Sequence, residues 1–229
     1  MSAPPPDIAA ALGALLGEPR ADGRGKVFAI LGSGTQIGAS FVARQLSLQA
    51  KAQSLRCALI DTDFSQNSQF AAFHDPQMQA VHGALDGPYD ASFGVMPYWR
   101  VSPLVVDDPQ SAQAAFCGLY TVGDGRLVVT QFLWDRIQQG QQVHLAHSRE
   151  YWTALRDHYD ISFVDSPATS RSGAYQTLAE EVDGTVLVTS GQGDGATAGA
   201  LSQIKQSGGR CAGVIFNSAQ ASPQYGDSA

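Results

Sequence analysis

The stretch from Lys26 to Ala52 limits what this chain can fold into more than any other. A short apolar run, Val27 to Leu31, breaks into Gly32-Ser33-Gly34-Thr35-Gln36-Ile37-Gly38 and gives way to a helical pattern from Ala39 to about Ala52. An apolar run of that length bounded by glycines reads as a strand buried on both faces, and the change of period after it reads as a helix. Strand, glycine-rich loop and helix in that order open a wound α/β unit.

The same grammar returns along the chain. Cys57-Ala58-Leu59-Ile60 ends in Asp61-Thr62-Asp63, and Ile161-Ser162-Phe163-Val164 ends in Asp165-Ser166-Pro167. Further buried-strand candidates lie at Thr185 to Thr189 and Cys211 to Phe216, with a helix-compatible segment between them from about Ala196 to Gln206. Strands alternating with helices predict α/β architecture with a doubly wound, mostly parallel sheet. From Phe64 to Ser148 the periodicity is weak, apart from a hairpin through Gly123-Asp124-Gly125 flanked by Gly118 to Val122 and Arg126 to Thr130.

With 229 residues, 44% of them hydrophobic, the chain can bury one full core. Residues 26–218 are expected to form that domain. Residues 1–25 (Pro-Pro-Pro, a short Ala/Leu segment from Ile8 to Leu16, then Gly, Arg and Asp) read as a flexible tail with a short helix. Residues 219–229 read as a second flexible tail.

A net charge of -7 argues against nucleic acid as a partner. No run reaches the ~18 apolar residues that span a bilayer, and the first residues lack the charged region of a secretory signal, so no direct membrane insertion is expected. The three cysteines, two of them inside apolar runs, suit reduced thiols in a cytoplasmic protein. His144 and His147 are three apart with no completing ligand, and the five histidines are read as surface or loop residues. Trp99, Trp134 and Trp152 are read as core or interface anchors.

In wound sheets ligands sit beyond the carboxyl ends of the strands, which here carry the glycine loop, the Asp-x-Asp and the Asp-x-Pro. A phosphate cradle needs inward backbone amides, a helix N-terminus, a lysine and a hydroxyl for Mg²⁺. Gly32, Gly34 and Gly38 supply the turns, and Ser40 stands where the hydroxyl belongs. Ala39 stands at the lysine's place. Asp61, Asp63 and Asp165 are candidate carboxylates for a hard cation, with Ser40, Asp61 and Asp165 the Mg²⁺ set.

In this order the motifs resemble those of the deviant P-loop ATPases of the ParA/MinD type, and most of all the bacterial tyrosine kinases (BY-kinases) that accompany exopolysaccharide export. The resemblance runs from Phe28-Ala29-Ile30-Leu31 through Leu59-Ile60-Asp61-Thr62-Asp63, Tyr159 to Pro167 and Val182-Asp183-Gly184 to Gly213-Val214-Ile215-Phe216-Asn217, with Gly83 to Gly87 a weaker match. It implies ATP or ADP with Mg²⁺, held at Gly34, Gly38, Ala39 and Ser40, and Asn217 near the adenine. It also implies catalysis through Asp61, Asp63 and Asp165 if the chain is active. The implied partner is the cytoplasmic part of a membrane polysaccharide co-polymerase or export protein, met at the inner membrane.

Four departures shape the functional expectation. Ala39 replaces the lysine, and the three lysines, Lys26, Lys51 and Lys205, fall elsewhere. Gln36 and Ile37 replace the residues before Gly38. Phe64-Ser65-Gln66-Asn67 replaces an arginine-rich stretch, and the tail carries one tyrosine, Tyr225. A lone charge clamp in phosphoryl transfer is worth roughly 10³ or more, by analogy with the arginine finger. The expectation is therefore a catalytically impaired, pseudokinase-like regulator that binds nucleotide weakly. The alternatives are an active tyrosine autokinase or ATPase using a substitute cation, for which Arg171 is the candidate, and a MinD/ParA-like positioning ATPase. The oligomerisation helix of the kinases has no counterpart, which implies a monomer or homodimer rather than a ring.

Overall fold

A computed structural model describes residues 7–17, 19–104, 106–168, 170–190 and 194–217, with the side chain of Asp194 excepted. The expected C-terminal tail, with Tyr225, lies outside these residues.

The first element is helix α1 (Ile8–Leu16). Asp7 caps it by accepting from the Ala10 amide at 2.9 Å, and Gly17 ends it at a φ of 36°. Nine residues do not hold a helix in water, so packing must. Leu12 and Leu15 are buried in the core against the next helix, worth ~1.5–3 kcal/mol each. The Lys26 ammonium closes the far end by donating to the Leu15 and Leu16 carbonyls. Over residues 8–16 the leader is a helix packed on the next one.

Strand β1 (Lys26–Gly32) leads through the glycine loop into α2 (Ala39–Ala52), and β2 (Cys57–Asp61) follows. The middle of the chain holds α3 (Ser68–His74), α4 (Pro76–His82), β3 (Leu85–Asp90), β4 (Trp99–Ser102), α5 (Pro109–Ala114), β5 (Cys117–Val122), β6 (Leu127–Phe132) and β7 (Gln142–Leu145). Then come α6 (Arg149–His158), β8 (Ile161–Ser166), α7 (Ala174–Leu178), β9 (Gly184–Thr189), α8 (Asp194–Gln206) and β10 (Cys211–Phe216). Eight strands form one sheet in the order β10-β9-β1-β8-β2-β6-β5-β3, and β4 pairs with β7 separately.

Strands β10, β9, β1, β8, β2 and β6 run parallel, as the alternation of strand and helix requires. The hairpin expected around Gly123 forms between β5 and β6, with Val122 opposite Leu127, and Gly123 and Gly125 turning at φ values of 62° and 77°. Because β6 also pairs with β2, that hairpin is part of the main sheet.

β1 shows why the strands are apolar on both faces. Phe28 and Ile30 pack with Val42 and Leu46 of α2, while Ala29 and Leu31 pack with Tyr175, Ala200 and Ile204 of α7 and α8. Trp99 and Trp152 are fully buried with Tyr98 and Tyr151, whereas Trp134 is about half exposed. Cys57 and Cys117 are buried strand thiols, and burial pushes the Cys57 thiol up to about 12.

Candidate functional site

The sheet order places β8 between β1 and β2, so the glycine loop, Asp61 and Asp165 open on one side of the sheet. Asp61 and Asp165 are direct neighbours in the parallel pairing of β2 with β8. The loop, Ser40, Asp63, Asp165 and Arg171 line a cleft of about 560 Å³.

The loop is built around Gly38. Its φ of 84° lies in the left-handed region. Glycine adopts that region at no steric cost. A Cβ there would lie 2.2 Å from the Asn217 side-chain nitrogen. Asn217 donates to the Ile37 carbonyl at 2.9 Å, and its own amide is anchored on Thr189 at 2.8 Å. Gln36 also stands at positive φ, 58°. That conformation costs a non-glycine residue ~1 kcal/mol. Gly34 needs no such freedom. Ala39 is the first residue of α2, where backbone amides lack intrahelical acceptors and the helix dipole favours an anion.

No lysine reaches this cleft. Lys26 is committed to the end of α1. Lys51 donates to the His82 and Val122 carbonyls at 2.7 and 3.0 Å, and Lys205 lies in the last turn of α8. The cation lining the cleft is Arg171, whose Nη2 donates to Asp63 Oδ2 at 2.6 Å. Asp63 also accepts from the Ser65 hydroxyl.

Asp61 and Asp165 are both buried, and both are already engaged. Asp61 Oδ1 accepts from the Asp63 amide at 2.9 Å. Its Oδ2 accepts from the Gln69 amide at 3.0 Å and from the Ser68 hydroxyl at 3.2 Å. Asp61 thereby caps α3 from outside the helix. Asp165 Oδ2 takes the Gln69 side-chain amide at 2.6 Å. That amide also donates to the Ser40 carbonyl at 2.9 Å, while Gln69 Oε1 accepts from Arg44 Nε at 3.1 Å. Burial, reinforced by the neighbouring Asp165 carboxylate, pushes Asp61 up to about 7; burial likewise raises Asp165.

Sequence reasoning did not find Gln69 or Arg44. Arg44 lies one turn beyond Ser40 on the same helix face, which was a readable signal. For Gln69 nothing in the local pattern distinguishes it from Gln66. Among the described residues no three His, Cys, Asp or Glu side chains form a metal-ligand group. His147 instead lies 3.5 Å from Glu181.

The raised Asp61 gives a pH expectation. Folded, it keeps its proton up to about 7; unfolded, it releases it near 3.8, so between these values the folded state binds more protons. Stability therefore falls as pH rises from about 4 to about 7. Because Asp165 titrates with it, the slope belongs to the pair. Thermal melting should show Tm dropping by a few degrees across this window, with a flatter profile for Asp61→Asn; an equal slope in that variant would assign the effect elsewhere.

A mostly parallel sheet with a glycine loop opening the first crossover helix defines a P-loop NTPase-type fold, and the comparisons with solved structures agree. The kinase domain of Escherichia coli tyrosine kinase ETK matches with a TM-score of 0.57 at 14% identity, over 89% of this chain and 71% of that one. The VpsO kinase domain matches with 0.53 at 17%, over 93% and 94%. The MinD cell division protein of Aquifex aeolicus matches with 0.50 at 15%, over 83% and 68%. At these identities the likeness establishes the fold, shared by bacterial tyrosine kinase domains and MinD-type ATPases. No family model matches the chain, and no curated protein matches it in sequence.

Proposed function

We propose that this chain is a catalytically impaired, pseudokinase-like cytoplasmic regulator of exopolysaccharide synthesis or export, which holds ATP or ADP weakly on the loop amides. The observation that carries this reading is the Ala39 methyl at the start of α2, with Lys26 and Lys51 both committed to backbone carbonyls elsewhere. Amides and a helix terminus suffice to hold a phosphate; without a free cation they do little to neutralise the charge that moves during phosphoryl transfer. The partner in this reading is the cytoplasmic part of a membrane co-polymerase, with the chain a monomer or homodimer at the inner membrane. Among the described residues no helix is long and apolar enough to cross a membrane.

Calorimetric titration with ADP and ATP, beside a hydrolysis and autophosphorylation assay, tests the site. Weak binding without turnover above a protein-free control is expected; turnover abolished by Asp165→Asn would overturn the reading. Deletion in the source cell should alter the amount or chain length of exported polysaccharide, and an unchanged polymer would remove the pathway assignment.

Arg171 favours one competing reading, an active enzyme with a substitute cation, because it lines the same cleft. Its bond to Asp63 argues against a free role. Under the active reading Arg171→Ala abolishes turnover; under ours there is none to lose.

A further inference from the structure

We propose that the position where this fold class places its divalent cation is filled here by the protein itself, through Gln69 and Arg44, so that the cleft takes its ligand without Mg²⁺. A hydrated Mg²⁺ needs carboxylate lone pairs and a hydroxyl facing open space. The donors here do not meet that need. Both Asp61 oxygens receive hydrogen bonds from α3 and from the Asp63 amide. Asp63 is bound to Arg171 and Ser65.

Of the remaining candidates, Asp165 is taken on Oδ2 by the Gln69 side-chain amide at 2.6 Å, and the Ser40 backbone carbonyl at 2.9 Å holds that same amide to the start of α2. The amide N–H thus occupies the Asp165 oxygen that a cation would need, with the positive end of its dipole on the same lone pairs. Behind it, Arg44 Nε donates to Gln69 Oε1 at 3.1 Å, polarising the amide toward Asp165. The half-buried guanidinium also places its positive charge within electrostatic reach of Asp165 and Asp61. A cation entering from solvent would have to break a relay of charge-assisted bonds.

The inference concerns the site in the reading above, but its main test does not depend on nucleotide. Mn²⁺, whose free signal is read by electron paramagnetic resonance, is titrated into the wild-type protein alone and with saturating ADP, and into Arg44→Gln. The wild type is expected to bind no Mn²⁺ below about 1 mM in either condition. Arg44→Gln, folded by circular dichroism, is expected to bind it at least about tenfold more tightly, because the buried carboxylates have lost their counter-charge. If Arg44→Gln does not fold, Gln69→Met removes the donor at similar volume and carries the same expectation. Stoichiometric Mn²⁺ binding by the wild type that is lost in Asp165→Asn would overturn the proposal, as would no gain in either variant. Failure of ADP to bind would sink the nucleotide reading alone, since the nucleotide-free titrations still decide this one.

Discussion

Ala39→Lys is expected to tighten ADP binding about ten- to a hundredfold, measured by calorimetry at fixed ionic strength. A unit charge about 4 Å from a phosphate oxygen at an effective dielectric near 20 is worth at most ~4 kcal/mol, and ordering the lysine returns part of that. One to two powers of ten remain. The wild-type cleft has no competing free cation, because Arg171 is held at 2.6 Å by Asp63. The same change should slightly lower Tm without nucleotide, since a cation in the first turn opposes the helix dipole. Opposite signs in the empty and loaded protein form a signature that a general stability effect would not give. Unchanged affinity would mean that position 39 does not face the phosphates, and with it would go the comparison to a lysine-bearing loop.

Asp183→Ala is expected to cost ~3–5 kcal/mol, lowering Tm by about 10 °C in a chain of this size. Asp183 sits where the core meets the start of β1. Its Oδ2 accepts from the Val27 amide at 2.8 Å and from Arg156 Nε at 3.0 Å, and Oδ1 from Arg20. In return the Asp183 amide donates to the Val27 carbonyl at 2.7 Å. The Arg156 side chain is only 12% exposed. Truncating the carboxylate therefore leaves Arg156 Nε and the Val27 amide without their acceptor, and a mostly buried guanidinium, still bonded to the Trp152 and Glu181 carbonyls, without its counter-charge. Asp183→Asn should retain part of this, since its carbonyl oxygen still accepts. Chemical denaturation of the three proteins measures it; a loss below about 1 kcal/mol would remove Asp183 from the framework.

The elements that were legible in the sequence are those whose side chains face one environment along their length. Val27 to Leu31, Cys57 to Ile60, Ile161 to Val164 and Thr185 to Thr189 are buried on both faces, and their composition says so. The convergence of loop, Asp61 and Asp165 followed from placing those strands side by side. β3 carries Asp86, Gly87 and Pro88 on an exposed edge, and β4 and β7 are four residues each, too short for a period to emerge. The short helix at Ile8 to Leu16 was legible, but not what holds it: Leu12 and Leu15 packed on α2, with a lysine ten residues beyond Leu16 closing its end. Gln69 escaped notice for a related reason: its contacts are to Ser40, Arg44, Asp61 and Asp165, as far as 96 positions along the chain.

The bond from Asn217 to Ile37 joins the last described residue to the loop that opens α2. The end of the sheet thereby acts as a latch on its beginning. Loss of that contact would free the Ile37 carbonyl and open the space beside position 38, where the φ of 84° alone would still disfavour a side chain. A pull on residue 217 would load two bonds at once, one to the Thr189 carbonyl of the neighbouring strand and one to the loop ahead of α2, 180 positions earlier in the sequence.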